Sequence, residues 1–515
     1  MRRTLVVGLA ILGAIAMASS ASARVLRVGT YRGIPGQFKS VEAAVNAAKP
    51  GDWILVAPGD YKTTSSRRVP GRSNEAAGIL ITKRNLRIRG MNRNTVILDG
   101  TKSGSRCSNK ASNQNFGPSG SKGPLGLNGI LIWKADDVSI QNLTACNFLS
   151  GSGNAGNEIW WNGGDGSYHI GGWGYNGSYL TATSTYFNTE STAAAYGIFS
   201  SNWSGGTWSQ DYTSNFNDSG LYIGACQQQC DQTIDHAWSE YNALGYSGSN
   251  SGGWLLIKRS QFDNNQDGFD TNSQNGDNPP PQNGACPAGV KPPVKGAPSC
   301  WVFTNNYVHD NNNPNVPAAG TAAAGPVGTG MSVSGGRNDT IMHNRFVRNN
   351  AWGVILVAFP DMGPPCTGGT PNFPILGPGS CLYDDWGNAI INNAFAHNGS
   401  YGNPSNGDFD QLNLEAGHPT DCYSGNTELG GGSLTGAAAA LEQMHPKCDD
   451  SAAPANTGGQ FVSEVYCDSQ LDTALCLPTD HYPRRTRVVM HPLPKLPTMP
   501  NPCAGVPTNP WCTRR

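Results

Sequence analysis

The sequence predicts an all-β chain folded as a right-handed parallel β-helix, a solenoid of stacked coils. Three observations predict it. Glycines that open an alternating apolar stretch recur at Gly197, Gly220, Gly245, Gly268, Gly330 and Gly353, with separations of 23, 25, 23, 62 and 23 residues. A period of that length, holding several short strands and no long helical pattern, is one coil of a solenoid. The positions one and three after each glycine are mostly apolar, as in Leu221 and Ile223, Met331 and Val333, and Val354 and Leu356. Strand side chains alternate faces, so these point into the coil. Asn or Asp returns between the strands, where residues that tolerate left-handed angles and bond their own backbone are favoured. The segments Ile341 to Leu356 and Ile390 to Gly402 are clear copies. One coil cannot bury its apolar face alone and must stack on its neighbours. Leucine-rich repeats share the length, but leucine does not dominate here, and a propeller needs about 40 residues per blade.

The elements follow in chain order. Arg2 and Arg3, the apolar run Leu5 to Ala18 and the small residues Ala21-Ser22-Ala23 read as a signal peptide over 1–23, cleaved after Ala23, which predicts a secreted, extracellular protein. Residues 24–415 carry the β-helix. Its start is an amphipathic helix over Val41 to Ala48, ended by Pro50-Gly51 and followed by the strand Trp53 to Ala57. A helix laid over the open end of a solenoid hides edges that would otherwise pair with other chains. Long insertions interrupt the coils at about 101–126, 273–300 and 360–381, and loops of this length are commonly functional walls. Residues 416–515 lose the coil pattern; a short apolar helix near Ala437 to Met444 and a Pro-rich end read as a disulfide-pinned cap and extended tail.

The chain has 14 cysteines, and an even count in an exported protein favours disulfides over metal sites. Neighbours in sequence are the default pairs: Cys226/Cys230, Cys286/Cys300, Cys366/Cys381, Cys467/Cys476 and Cys503/Cys512. Net charge is −1 with 14% charged residues, which gives no electrostatic footprint for nucleic acid. No stretch after the signal approaches the ~20 apolar residues of a membrane span.

The N-terminal helix, the strand Pro50-Gly51-Asp52-Trp53-Ile54-Leu55-Val56, the turn Pro58-Gly59-Asp60-Tyr61 and the Asn/Gly coils together resemble the pectin-lyase-like β-helix superfamily over roughly residues 25 to 415. The resemblance marks a scaffold, not a reaction. It implies a polysaccharide or cell-wall glycan as partner, bound in an outer groove where successive coils contribute one side chain each.

The coil register locates such a column. Two places after each glycine the side chain faces outward, giving Phe199, Tyr222, Ser247, Asp270, Ser332 and Ile355. Phe199, Tyr222 and an outward Trp161 would stack against sugar rings, with Asn272 as a polar contact. Asp263, Asp267, Asp270 and Asp277 form the densest acidic patch and supply the oxygen ligands calcium requires. In superfamily lyases, calcium-binding aspartates hold the uronate carboxylate while a basic residue removes the C5 proton. Lys258 and Arg259, on the strand leading into that coil, would take this role beside Asp270. Asp and Asn are equally the default turn residues of such a fold. A second candidate, Ile234-Asp235-His236 with Glu240, is similar to a pectate-lyase segment, but it lacks the tryptophan and a companion Arg-x-Pro-x-x-Arg. Two functions remain open: an enzyme on polysaccharide, such as a lyase of acidic (uronate) glycans, or a non-catalytic extracellular glycan-binding or adhesin protein.

Overall fold

A computed structural model of the chain describes residues 23–63, 65–226, 229–275, 301–363, 365–374, 377–414, 418–448 and 459–513. The signal segment, Asp277 and the Cys286/Cys300 pair lie outside these residues. Three long sheets form the walls of the solenoid. Sheet I has 12 strands, from Val25–Val28 to Cys422–Ser424; sheet II has 11, from Gly59–Lys62 to Thr427–Glu428; sheet III has 11, ending at Gly407–Gln411. Strands of successive coils pair in parallel throughout, except for a hairpin at the start of sheet III, where Arg67–Val69 pairs antiparallel with Arg72–Ile81. This is the parallel β-helix the repeat predicts, with the right-handed crossovers that parallel connections adopt.

One coil shows how sequence makes structure. Asp339–Met342 lies in sheet I, Asn344 turns the corner, Arg345–Val347 runs in sheet II, Asn349 turns again, and Trp352–Val357 crosses sheet III. Ile341, Phe346, Val354 and Leu356 point inward and are buried with their equivalents from every other coil in one continuous core. The repeating glycine has a packing cause. A Cβ on Gly268 would lie 2.5 Å from the carbonyl oxygen of Gly330, and one on Gly330 would lie 2.5 Å from that of Gly353. Adjacent rungs approach too closely there for any side chain.

Two asparagine ladders line the corners. In one, the Oδ1 atoms of Asn306, Asn344, Asn393 and Asn426 accept the backbone N–H groups of Ser260, Asn306, Asn344 and Asn393. In the other, Asn242, Asn265, Asn311, Asn349 and Asn398 follow the same rule. Each ladder saturates polar groups that the bends bury.

Both ends are closed by helices. Helix α1 (Val41–Ala47) is capped by Ser40, whose Oγ accepts the Ala43 N–H at 3.2 Å, and buries Val41, Ala44 and Val45 over the first coil. Helix α2 (Ala438–Met444) inserts Ala438 and Leu441 into the same core at the other end. The coils extend further than 415: Cys422–Ser424 and Thr427–Glu428 add a final rung to sheets I and II. Small residues and short strands hide that rung's period in the sequence. Of the disulfides among the described residues, four are the neighbour pairs expected, at 226–230, 366–381, 467–476 and 503–512. Two others, Cys107–Cys146 and Cys422–Cys448, tie the first insertion and the C-terminal cap to coil strands.

The C-terminal region does more than cap. Helix α3 (Gly459–Asp468) lies on the outer surface of sheet III, with Phe461 and Val465 packed on Trp352 and Ile355. Glu464 accepts the Ser405 N–H and Oγ–H at 3.0 and 2.6 Å. From Tyr482 the chain returns along the outside of the solenoid. His491 exchanges two backbone bonds with the Asn215 side chain, each 2.9 Å, and stacks on Tyr241. Thr498 and Met499 bond Asn142, and Arg89 donates to the carbonyls of Pro502 and Ala504. The loop closed by Cys503–Cys512 then seats Trp511 on Tyr31 of the first coil, with its Nε1–H on the Ile34 carbonyl at 3.0 Å. No described helix is long and apolar enough to cross a membrane.

Candidate glycan groove on sheet III

The outward positions of sheet III stand in register. Trp160, Phe199, Tyr222, Ser247, Asp270, Ser332, Ile355 and Asp410 are successive partners along one column. Two residues further along each strand, Ser249, Asn272, Ser334 and Val357 form a second column. Ser247, Ser249, Asp270, Asn272, Ser332 and Ser334 therefore make a polar patch two side chains wide and three rungs long, ~10 Å along the stack at ordinary strand spacing. Upstream of it lie aromatic rings: Phe199 stacks on Trp160 at 4.8 Å and on Tyr196 at 4.6 Å, and meets Tyr222 edge-on at 4.7 Å.

This surface is the floor of a cavity of about 790 Å³. Its walls come from outside the regular coils: the 3-10 turn Gly320–Ala324, the antiparallel hairpin that joins Phe359–Met362 to Ser380–Tyr383, and α3. The hairpin is the third insertion, pinned by Cys366–Cys381. Leu382, Leu412, Val462 and Tyr466 line these walls. Covered in this way, the floor is largely shielded; Phe199 and Asp270 are each 9% exposed.

At the centre of the floor, Ser332 Oγ lies 2.7 Å from Asp267 and 3.0 Å from Asp270. Asp270 also accepts Ser334 Oγ–H at 3.1 Å and Asn272 Nδ2–H at 2.8 Å. Burial, with the neighbouring Asp270 charge adding to it, holds the Asp267 carboxyl well above its ordinary range, and burial raises Asp270 as well. One hydroxyl hydrogen cannot serve two carboxylates. The two buried carboxyls share one Ser332 hydroxyl, and Asp270 is the one that faces the cavity.

The other residues named from the sequence fall elsewhere. Trp161 is fully buried inside the coil, 4.8 Å from Tyr175, and its neighbour Trp160 takes the outward position. Glu158 occupies the glycine slot in that coil, opposite Gly197, and counting from it as from the glycines puts Trp160 outside. Lys258 ends a strand of sheet I, paired with Asp235 and Thr304, so it projects from a different wall than Asp270. Arg259, at the next corner, binds Asp235 through Nε at 2.9 Å. His236 Nδ1 meets the same carboxylate at 2.7 Å, so these three form a surface network away from the cavity. Asp263 belongs to sheet II, where Trp238 Nε1, Gln261 Nε2 and Asn264 Nδ2 donate to it. Glu240 pairs with it one rung away and binds the Tyr212 hydroxyl at 2.7 Å.

The calcium set is thus divided between two walls. The groupings of three acidic, histidine or cysteine side chains found close together among the described residues are Asp99 with Cys107 and Cys146, and Asp480 with Cys467 and Cys476. Both include disulfide-bonded cysteines. Asp263 thus stands apart from Asp267 and Asp270, which share Ser332.

No family model matches the chain, and no curated protein matches it. Solved structures do. The A-module of a mannuronan C-5 epimerase from Azotobacter vinelandii is 12% identical with a TM-score of 0.46, over 81% of this chain and 95% of that one. A mannuronic acid-specific polysaccharide family 6 lyase from human gut microbiota is 10% identical with a TM-score of 0.40, over 88% and 97%. The pectin methylesterase PemA from Erwinia chrysanthemi is 14% identical with a TM-score of 0.26, over 85% and 100%. The likeness is one of fold.

Proposed function

We propose that this is a secreted polysaccharide-binding β-helix protein whose glycan lies in the sheet III groove. The observation that carries the reading is the continuity of the floor. Aromatic faces at Tyr196, Phe199 and Tyr222 run directly into a patch of hydroxyl, amide and carboxylate groups within one cavity. Aromatic faces suit the apolar faces of sugar rings, and the polar patch suits their hydroxyls. Asp270 is the group to which any acid or base step in the groove would fall. A uronate lyase also needs a basic group and a counter-charge for the substrate carboxylate. Neither is present among the described residues that line the cavity, whose charged members are Asp218 and Asp270.

The test is binding of the mature protein to a panel of neutral and acidic polysaccharides, with calcium and with chelator, alongside assays for released reducing ends and for unsaturated product. Tyr222→Ala and Asp270→Ala should each weaken retention on the glycan that binds, without lowering the unfolding midpoint enough to explain it. Retention that survives both substitutions would place the glycan elsewhere. Turnover that disappears in Asp270→Asn would make the protein an enzyme; binding without turnover would make it a lectin-like or adhesin-type module.

A further inference from the structure

Resting on the glycan reading above, the geometry points to a substrate class: we propose that the groove takes an uncharged glycan carrying hydrophobic ester substituents such as O-acetyl groups. Two features of the cavity support this. Its floor and its walls differ in kind. The three-rung floor offers Ser247, Asp270, Asn272, Ser332 and Ser334, whereas the surrounding elements contribute mainly hydrocarbon, including Phe359, Leu382, Leu412 and Val462. Those walls are not required by the coil repeat. They come from the hairpin, the chain after the last sheet III strand, and α3, each of which turns apolar side chains to the cavity. A bare polyol would leave this hydrocarbon wet, and solvent-facing apolar surface of that extent usually has an apolar partner. A glycan whose ring hydroxyls meet the floor and whose acyl groups meet the walls fills both surfaces together.

Charge is the second feature. Among the described lining residues none is Lys, Arg or His, and the acids are Asp218 and Asp270. Asp218 accepts the Tyr196 hydroxyl at 2.8 Å. A string of free carboxylates would meet two acidic groups and no counter-ion from these side chains, while an ester or a neutral sugar meets no such penalty. Apolar walls and an acidic floor thus select for the same occupant.

The experiment compares matched ligands by calorimetry on the full mature chain. Xylan and glucomannan oligosaccharides are each offered in O-acetylated and deacetylated form, with oligogalacturonate and a medium-chain fatty acid as comparators. The acetylated member of at least one pair should bind about tenfold more tightly than its deacetylated partner, the effect expected from burying one or two methyl groups. Val462→Ser and Leu412→Ser should shrink that ratio toward one, weakening the acetylated form more than the deacetylated form. Equal affinity within the pairs, or tighter binding of oligogalacturonate, would overturn the proposed class and leave the glycan reading standing. If no oligosaccharide binds, or the fatty acid alone does, both fall together.

Discussion

Replacing Asn344 by alanine would remove the middle rung of a corner ladder, and its cost follows from counting what is left unpaired. The Asn344 Oδ1 accepts the Asn306 N–H at 2.9 Å and the Asn306 Nδ2–H at 3.1 Å, and its Nδ2 donates to the Phe303 carbonyl at 2.9 Å and to Asn393 Oδ1 at 3.0 Å, an oxygen that also keeps the Asn344 backbone N–H. All of these groups are buried. Alanine is too short to reach any of them, and the interior offers no replacement. The four lost bonds cost about 3 to 6 kcal/mol in total, because the Asn306 N–H and the Phe303 carbonyl lose theirs without regaining water. The matched control is Asn305→Gly. Asn305 is an exposed corner residue with a positive φ of 56°, which glycine adopts freely, so this change should cost less than about 0.5 kcal/mol. Guanidinium titrations followed by tryptophan fluorescence give both values, provided the slope of the transition is unchanged. A cost below about 1 kcal/mol for Asn344→Ala would refute the claim that the ladders satisfy obligatory backbone bonds.

Three further outcomes are expected. Trp511→Ala removes a ring that is 5% exposed against the first coil, at a local cost of about 3 to 5 kcal/mol; trypsin should then cut at Arg484, Arg485 or Arg487 while the coils stay resistant. Glu240, Asp211 and Glu75 are each pushed up to about 7, chiefly by burial, so the folded chain holds more protons than the unfolded one between roughly pH 4 and 7. Stability should therefore fall as pH rises through that window and level off above it, and Glu240→Gln should make the fall of the melting temperature shallower. Mass mapping of the unreduced protein should recover the Cys107–Cys146 and Cys422–Cys448 bridges; reshuffled pairs there would contradict the way the first insertion and the C-terminal cap are held.

The fold was legible because its constraints are local and repeated. Glycine marks the place where a rung leaves no room for Cβ, asparagine marks the corners, and alternation after the glycine sets inside from outside, so the column from Phe199 to Ile355 could be read from spacing alone. Extending that count by two positions finds Ser249 and Ser334 as well. Trp160 and Trp161 were harder, because Glu158 replaces the marker glycine and the phase of that coil was lost. Lys258 looked close to Asp270 because they are 12 residues apart in sequence, yet half a coil separates two walls. The cover over the groove had no signal of this kind. Which surface α3 and the hairpin dock on is decided by long-range contacts between irregular segments, and nothing periodic announces them.

A stack of repeats is ordinarily weakest at its ends, since a terminal coil has a neighbour on one side only. Here the last 30 or so residues run back and fasten on the first coil through Trp511. Peeling either end then means releasing an attachment to the other, which couples the two extremes into one cooperative unit and raises the barrier to stepwise loss. It also sets an order of events. During synthesis the first coil emerges early and can stack, but its outer face at Tyr31 and Ile34 is finished only when the segment carrying Trp511 has been made. The first coil therefore gains its full protection from degradation only once the Trp511 segment has docked.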